Sequence, residues 1–157
     1  MPQANPRNFV SADPNKCNGC SICELVCALE KENHFAPSLS RIKVVRLLGI
    51  VNFTSACRFC ENPPCVEACA RGALQQSTEN GRIIVEESKC NGCGWCIQAC
   101  EYGAIWLHPN KTSVLICDLC KGEPKCVQWC PEGALEMRST KDLNSLLNQA
   151  ITEKLLG

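Results

Sequence analysis

The chain has 157 residues, with 16 basic and 16 acidic side chains, 16 cysteines and 5% aromatic residues. That length sets one or two small domains, and the balanced charge offers no basic face for a nucleic acid. No apolar run approaches the roughly 18 residues of a membrane span, and residues 1–10 lack the charged-then-apolar pattern of a leader, so a soluble, cytoplasmic protein is expected.

In chain order, Phe9 and Val10 read as a short strand, and Ala12, Asp13 and Pro14 as a turn. Cys17, Cys20, Cys23 and Cys27 follow, with two, two and three residues between them. Residues 28–41 look like an irregular insertion, the kind of loop that carries partner contacts on a rigid scaffold, and residues 42–47 like a strand. Cys57, Cys60, Cys65 and Cys69 form a second motif, with gaps of two, four and three. Its middle gap holds Pro63 and Pro64, which stiffen it.

Residues 81–85 read as the return strand of a hairpin. Cys90, Cys93, Cys96 and Cys100 repeat the two, two, three spacing. Residues 105–108 and 113–116 read as a second hairpin around Pro109 and Asn110. The last motif is Cys117, Cys120, Cys126 and Cys130, with gaps of two, five and three. After Cys69, Cys100 and Cys130 the chain repeats one form, two residues and then Gly-Ala, so a short helix ends in a left-handed glycine turn and a strand follows. Residues 141–155 carry no cysteine. Leu143, Leu146, Leu147, Ala150, Ile151 and Leu155 recur there at helical spacing, with Thr140 as the expected N-cap. Such a stripe must be covered, by the chain's own core or by another subunit.

Three cysteines on one tight loop, with a fourth one helical turn on, is the run that grips a [4Fe-4S] cluster. Zinc is the competing reading, but zinc frameworks usually separate two CxxC knuckles by a dozen residues or more. A disulfide scaffold is the other, and it belongs to small secreted chains. Trp95, Trp106, Trp129 and Tyr102 lie near the motifs and are expected to shield them from water, while His34 and His108 read as surface or turn residues. No phosphate loop, HExxH or triad pattern is present. The residues therefore point to electron transfer without catalysis.

Together the four motifs resemble the four-cluster ferredoxin-like subunits of multi-subunit oxidoreductases: those of dimethyl sulfoxide reductase, formate dehydrogenase and carbon monoxide dehydrogenase, with similar subunits in tungsten aldehyde oxidoreductases. The resemblance covers Val10 to about Met137. It implies an α+β fold of two nested bacterial-type 2[4Fe-4S] ferredoxin-like units with short hairpins and helices, plus a C-terminal helix. Residues 1–47 with 110–138 would form the outer unit, 48–109 the inner unit, and 139–157 a helical docking segment. It also implies crossed ligation. Cys17, Cys20, Cys23 and Cys130 hold one cluster, and Cys117, Cys120, Cys126 and Cys27 its neighbour. Cys57, Cys60, Cys65 and Cys100 hold the third, and Cys90, Cys93, Cys96 and Cys69 the fourth. Proximity along the chain alone would instead put Cys27 with Cys17, and Cys130 with Cys117. The implied partners are a large catalytic subunit of molybdenum, tungsten or nickel-iron type and a flavin or ferredoxin redox partner. A free polyferredoxin that carries electrons by diffusion is the alternative.

Overall fold

A computed structural model describes residues 7–156. The first six residues of the expected outer unit, and residue 157, lie outside the described residues.

Four two-stranded antiparallel sheets surround a core that is rich in thiols. Strand β1 (Phe9–Ala12) pairs with β8 (Leu135–Arg138), placing Phe9 opposite Arg138 and Ala12 opposite Leu135, so the two ends of the repeat are tied together. The other three sheets are local hairpins: β2 (Lys43–Leu47) with β3 (Val51–Ser55), β4 (Leu74–Gln76) with β5 (Ile83–Val85), and β6 (Trp106–Leu107) with β7 (Val114–Leu115). Both expected unit boundaries, after residues 47 and 109, fall in hairpin turns, so β2–β3 and β6–β7 join the outer segments to the inner ones. A buried bond adds to this joining, with Ala12 N–H donating to Thr54 Oγ1 at 2.9 Å.

The helices are short: α1 (Ile22–Glu32), α2 (Pro64–Glu67), α3 (Trp95–Ala99), α4 (Lys125–Gln128) and α5 (Thr140–Ile151). Pro64 opens α2 at a position where its missing N–H costs nothing. Past α2, α3 and α4, the expected glycine turns are present. Gly72, Gly103 and Gly133 sit at φ 61°, 56° and 56°, and each donates its N–H to the carbonyl of the fourth cysteine of its motif.

Motif one differs from the sequence expectation. The segment after Cys27 is not an irregular excursion, because α1 runs eleven residues to Glu32. Ala28, Leu29, Glu30, Lys31 and Glu32 are all good helix formers, so the helix simply continues. Asn33, in place of a glycine, takes the left-handed C-terminal position at φ 55° and donates to Leu29 O. A 3₁₀ turn over Pro37–Leu39 then leads to β2.

The C-terminal helix also departs from expectation. Its N-cap is Ser139, one residue before Thr140. Ser139 Oγ accepts from Asp142 N–H, and the Asp142 carboxylate accepts from Ser139 N–H, which closes a capping box. The first part of the apolar stripe expected to dock on a partner lies on the chain's own core, while Leu155 at its end is 45% exposed. Leu143 is 1% exposed, Ala150 is fully buried and Leu147 packs against the same cluster. Lys154 Nζ secures the end by donating to Pro14 O and Ile50 O, both at 3.3 Å. Leu143→Ala should therefore destabilise the cluster-loaded chain itself by about 2–5 kcal/mol, as other buried leucine truncations do. The measurement is the thermal midpoint of the isolated chain; an unchanged midpoint would return α5 to the role of a docking segment.

The core cluster joins Phe9, Val10, Ile42, Phe59, Ile105 and Leu135 to the buried thiols Cys23, Cys27, Cys57, Cys65, Cys96 and Cys126. Strands of two to five residues in two-stranded ribbons are marginal alone, so whatever those thiols hold is part of the core. No described helix is long and apolar enough to cross a membrane.

Candidate metal centres

Each motif begins with the same backbone device. The residue two places after the first cysteine is left-handed in all four: Gly19 (φ 75°), Phe59 (51°), Gly92 (68°) and Leu119 (60°). In three motifs the residue directly after the first cysteine also fixes the turn. Asn18, Asn91 and Asp118 each accept the N–H of the second cysteine at 3.0–3.3 Å, the short side-chain bond that makes an Asx turn. The loop so formed turns several N–H groups inward, a concavity suited to negative charge. The repeated Asn/Asp directly after the first cysteine is the sequence signal for this turn. Phe59 and Leu119 gave no signal, because a bulky residue in a left-handed conformation is not predictable from its type.

The Gly-Ala repeat acquires a function here. Ala73, Ala104 and Ala134 donate their N–H groups to the sulfurs of Cys69, Cys100 and Cys130 at 3.3–3.4 Å. The glycine turn is what brings the alanine N–H back to the sulfur. Motif one lacks the Gly-Ala and makes the same bond from a distance, with Arg41 N–H donating to Cys27 Sγ at 3.3 Å. Hydrogen bonds to sulfur stabilise thiolate and tune the potential of a cluster.

Four cavities each collect four cysteines. The first is lined by Cys17, Cys20, Cys23 and Cys130. The second has Cys27, Cys117, Cys120 and Cys126. The third has Cys57, Cys60, Cys65 and Cys100, and the fourth Cys69, Cys90, Cys93 and Cys96. In every case three thiols come from one motif and the fourth from another. The reason lies in the helix pairs. Cys23 and Cys27 are a turn apart on α1, about 6 Å along its axis, so they reach different cavities. Cys126 on α4 and Cys130 just past it do the same in reverse, and α2 and α3 repeat the arrangement.

Thiols of neighbouring cavities are close enough to raise one another's pKa: Cys23 acts on Cys126, Cys117 on Cys57, and Cys96 on Cys65. The cavities therefore follow one another in a row, from first to fourth. Cys20 and Cys93 are the exposed cysteines among the described residues, and they belong to the two ends of that row.

The environment tests what the thiols can hold. Burial pushes Cys23, Cys57 and Cys117 up to about 12, and Cys65 and Cys96 up to about 11. Burial, reinforced by the charges of Cys117, Cys27, Cys23 and Cys120, also raises Cys126. Such sets stay thiolate only with positive charge among them. Among the described residues, no three His, Cys, Asp or Glu side chains converge on the spacing a single ion needs. Tetrahedral zinc, with sulfur at 2.3 Å, would need thiols about 3.8 Å apart. Four thiols standing around a cavity suit a larger, multi-iron core.

Cations line the surroundings. Arg58 lines the third cavity, held between the rings of Phe9 (4.9 Å) and Tyr102 (4.1 Å). Arg46 Nη2 donates to Gly19 O at 2.6 Å and steadies the first loop. Lys31 pairs with Asp118 at 2.7 Å beside the second cavity. The tryptophans do not all shield as expected. Trp95 and Trp129 are 62% and 66% exposed, since a helix of four or five residues buries one face only. Trp106 is half-buried, with Lys43 Nζ 5.6 Å from its ring centre. His108 lies in the β6–β7 turn as expected but is buried, its Nδ1 accepting from Asn110 N–H at 3.0 Å. His34 is exposed and lines none of the four cavities.

Comparison with known proteins adds three relatives and a family. The family described as 4Fe-4S dicluster domain matches residues 49–140. The polyferredoxin-like subunit of an aliphatic sulfonate oxidoreductase from Pyrococcus furiosus is 41% identical over 130 residues, which is 83% of this chain and 75% of that protein. Subunit beta of an NADH-dependent phenylglyoxylate dehydrogenase from Aromatoleum evansii is 36% identical over 137 residues, 85% of this chain but only 31% of the relative. The putative electron transport protein YsaA of Escherichia coli K12 is 36% identical over 139 residues, 82% of this chain and 87% of that one.

Proposed function

The chain belongs to the 4Fe-4S dicluster domain family, and we propose that within it the protein is a non-catalytic electron-transfer subunit carrying four clusters in a row. Its cofactors are [4Fe-4S] clusters, and sixteen cysteines suit four of them. The proposed ligand sets are the four cavity sets, with Cys130 completing the loop of Cys17, Cys20 and Cys23, and Cys27 that of Cys117, Cys120 and Cys126. Cys100 completes the loop of Cys57, Cys60 and Cys65, and Cys69 that of Cys90, Cys93 and Cys96. Each cluster supplies storage of one electron at a potential its surroundings tune. The chain's own residues do the rest. Backbone N–H groups stabilise the sulfurs, Arg58 offsets added negative charge at the third site, and apolar side chains such as Ile83 and Ile105 keep water from it.

The observation that carries this reading is the row of four thiol cavities with its two exposed cysteines at opposite ends. Electrons need an entry and an exit, and Cys20 and Cys93 mark two surface-accessible sites. The proposed partners are a large catalytic oxidoreductase subunit and a flavin or ferredoxin donor or acceptor. Two of the relatives are named as oxidoreductase subunits, which supports the first of these. Leu143 and Ala150 of the α5 stripe are covered by the chain's own core, which leaves the exposed Leu155 and Leu156 as the part of that segment free to meet a partner.

Anaerobic purification tests the proposal. A brown chain with about 16 iron atoms is expected, and reductive titration should show magnetic coupling between neighbouring clusters. Co-purification of a stoichiometric large subunit supports the partner. A lone monomer favours a diffusing polyferredoxin, and a colourless zinc protein removes electron transfer altogether.

A further inference from the structure

A groove of about 480 Å³ separates β5 from β7, and no cysteine lines it. Ile83, Ile84 and Val85 of β5 border it consecutively, with Val114 and Ile116 on the other side. Alternate residues of a strand point to opposite faces, so three in succession means that β5 meets the groove along its edge. The ladder explains why. Ser77 N–H bonds Arg82 O and Glu86 N–H bonds Ala73 O, both at 2.8 Å, with Gln75 opposite Ile84. In an antiparallel pair that alternation leaves the N–H and C=O of Ile83 and Val85 turned away from β4. In the same way, His108 N–H bonds Ser113 O and Trp106 faces Leu115, so the backbone of Val114 and Ile116 turns away from β6. Among the described residues each sheet has two strands and neither of these edges pairs with a further strand; Ile83, Val114 and Ile116 are buried in the groove wall, and Ile84 is 56% exposed.

The walls are cationic. Among the described residues, Arg82 and Lys121 enter no ion pair. Arg41 spends Nη2 on Glu32 at 2.8 Å, while its buried Nη1 has no partner. The groove's acids are already matched, Asp118 to Lys31 and Glu87 to Lys111.

We infer that this groove takes an extended acidic segment of a partner polypeptide, whose backbone pairs with the open edges of β5 and β7 and whose carboxylates meet Arg82, Lys121 and Arg41. Strand addition to an exposed edge draws affinity from main-chain bonds and selectivity from alternate side chains. Each half of the site calls for one property of the occupant. The open edges demand an extended backbone, and the unpaired cations demand negative charge. The groove adjoins the second, third and fourth thiol cavities through Asp118, Ile83 and Val114, so the partner would lie alongside those three. The inference does not depend on how the cysteines divide among clusters.

The test uses the full, cluster-loaded chain under anaerobic conditions and a synthetic peptide alternating glutamate and valine. Titration calorimetry should show it binding at least tenfold more tightly than a lysine–valine peptide. The double variant Arg82→Glu, Lys121→Glu should lose at least tenfold. Val85→Pro, which removes one open N–H without touching the β4 ladder, should also weaken binding, with iron content unchanged in both variants. Undiminished binding of the same acidic peptide with N-methylated backbone amides, or its displacement by inorganic phosphate alone, would mark a simple anion site and overturn strand pairing. Failure of the acidic peptide to bind overturns it outright.

Discussion

Replacing Cys27 by serine is expected to expose Cys117, Cys120 and Cys126 to alkylation while Cys17, Cys20 and Cys23 stay protected. Cys130→Ser is expected to do the reverse. The reason is the direction of two helices. Cys23 and Cys27 lie on α1, one turn apart, and line different cavities. Cys126 on α4 and Cys130 just past it are placed in the same manner, so each helix links a loop to the cavity next door. Serine keeps the size of the side chain and loses the soft thiolate that iron prefers. Iron should fall from about 16 to about 12 per chain if one cluster is lost. Peptide mass mapping after anaerobic alkylation identifies which cysteines have become reactive. If Cys27→Ser uncovers Cys17, Cys20 and Cys23 instead, the four loops are independent and the crossed assignment fails.

Removing the iron should abolish cooperative folding rather than only colour. Six of the buried core residues are cysteines of the proposed ligand sets, and among the described residues no sheet exceeds two strands. A core of that kind buries too little apolar surface to offset the conformational entropy of 157 residues. The proposed clusters also close long loops, joining Cys17 to Cys130 and Cys27 to Cys117. In chain-entropy terms a loop of about a hundred residues is worth about 4–5 kcal/mol when it is cross-linked. Iron supplies the positive charge that lets the packed sulfurs remain thiolate, because burial and mutual repulsion oppose their ionisation. Chelation after oxidative cluster loss, followed by circular dichroism and limited proteolysis, is the measurement. The expected outcome is a chain cut throughout, including at α5. A protease-resistant apo core would show that the polypeptide packs unaided and that the clusters are guests.

Much of this architecture is local and so was legible along the chain. Cysteines two or three residues apart must share a loop or a helical turn. Gly72, Gly103 and Gly133 end helices because glycine takes a left-handed conformation without a Cβ penalty. The hairpins before Val85 and around Pro109 follow from short apolar runs flanking turn residues. The same local logic, applied to the stretch after Cys27, would have extended α1. Its helix formers outweigh the missing Gly-Ala turn, and Asn33 takes the left-handed position that glycine holds elsewhere.

Other features arise only where distant segments meet. Which fourth cysteine enters which cavity depends on how α1 lies against α4, and these segments are separated by most of the chain. The N–H from Arg41 to Cys27 Sγ needs the 3₁₀ turn to return the backbone, and no spacing rule foretells it. The stripe on α5 demanded cover but could not name it. In the tertiary structure Leu143 reaches the core and Lys154 reaches Pro14 and Ile50, while Leu155 stays exposed. The open edges of β5 and β7 are likewise invisible in sequence, because a strand's pattern records which face is apolar and says nothing about whether a neighbour stands beside it. Local chemistry thus determined the loops, the turns and the thiols as candidate ligands. The tertiary structure decided which of them share a cavity, how the cavities neighbour one another and which surface is left free, because those depend on contacts between segments that the chain's own order keeps apart.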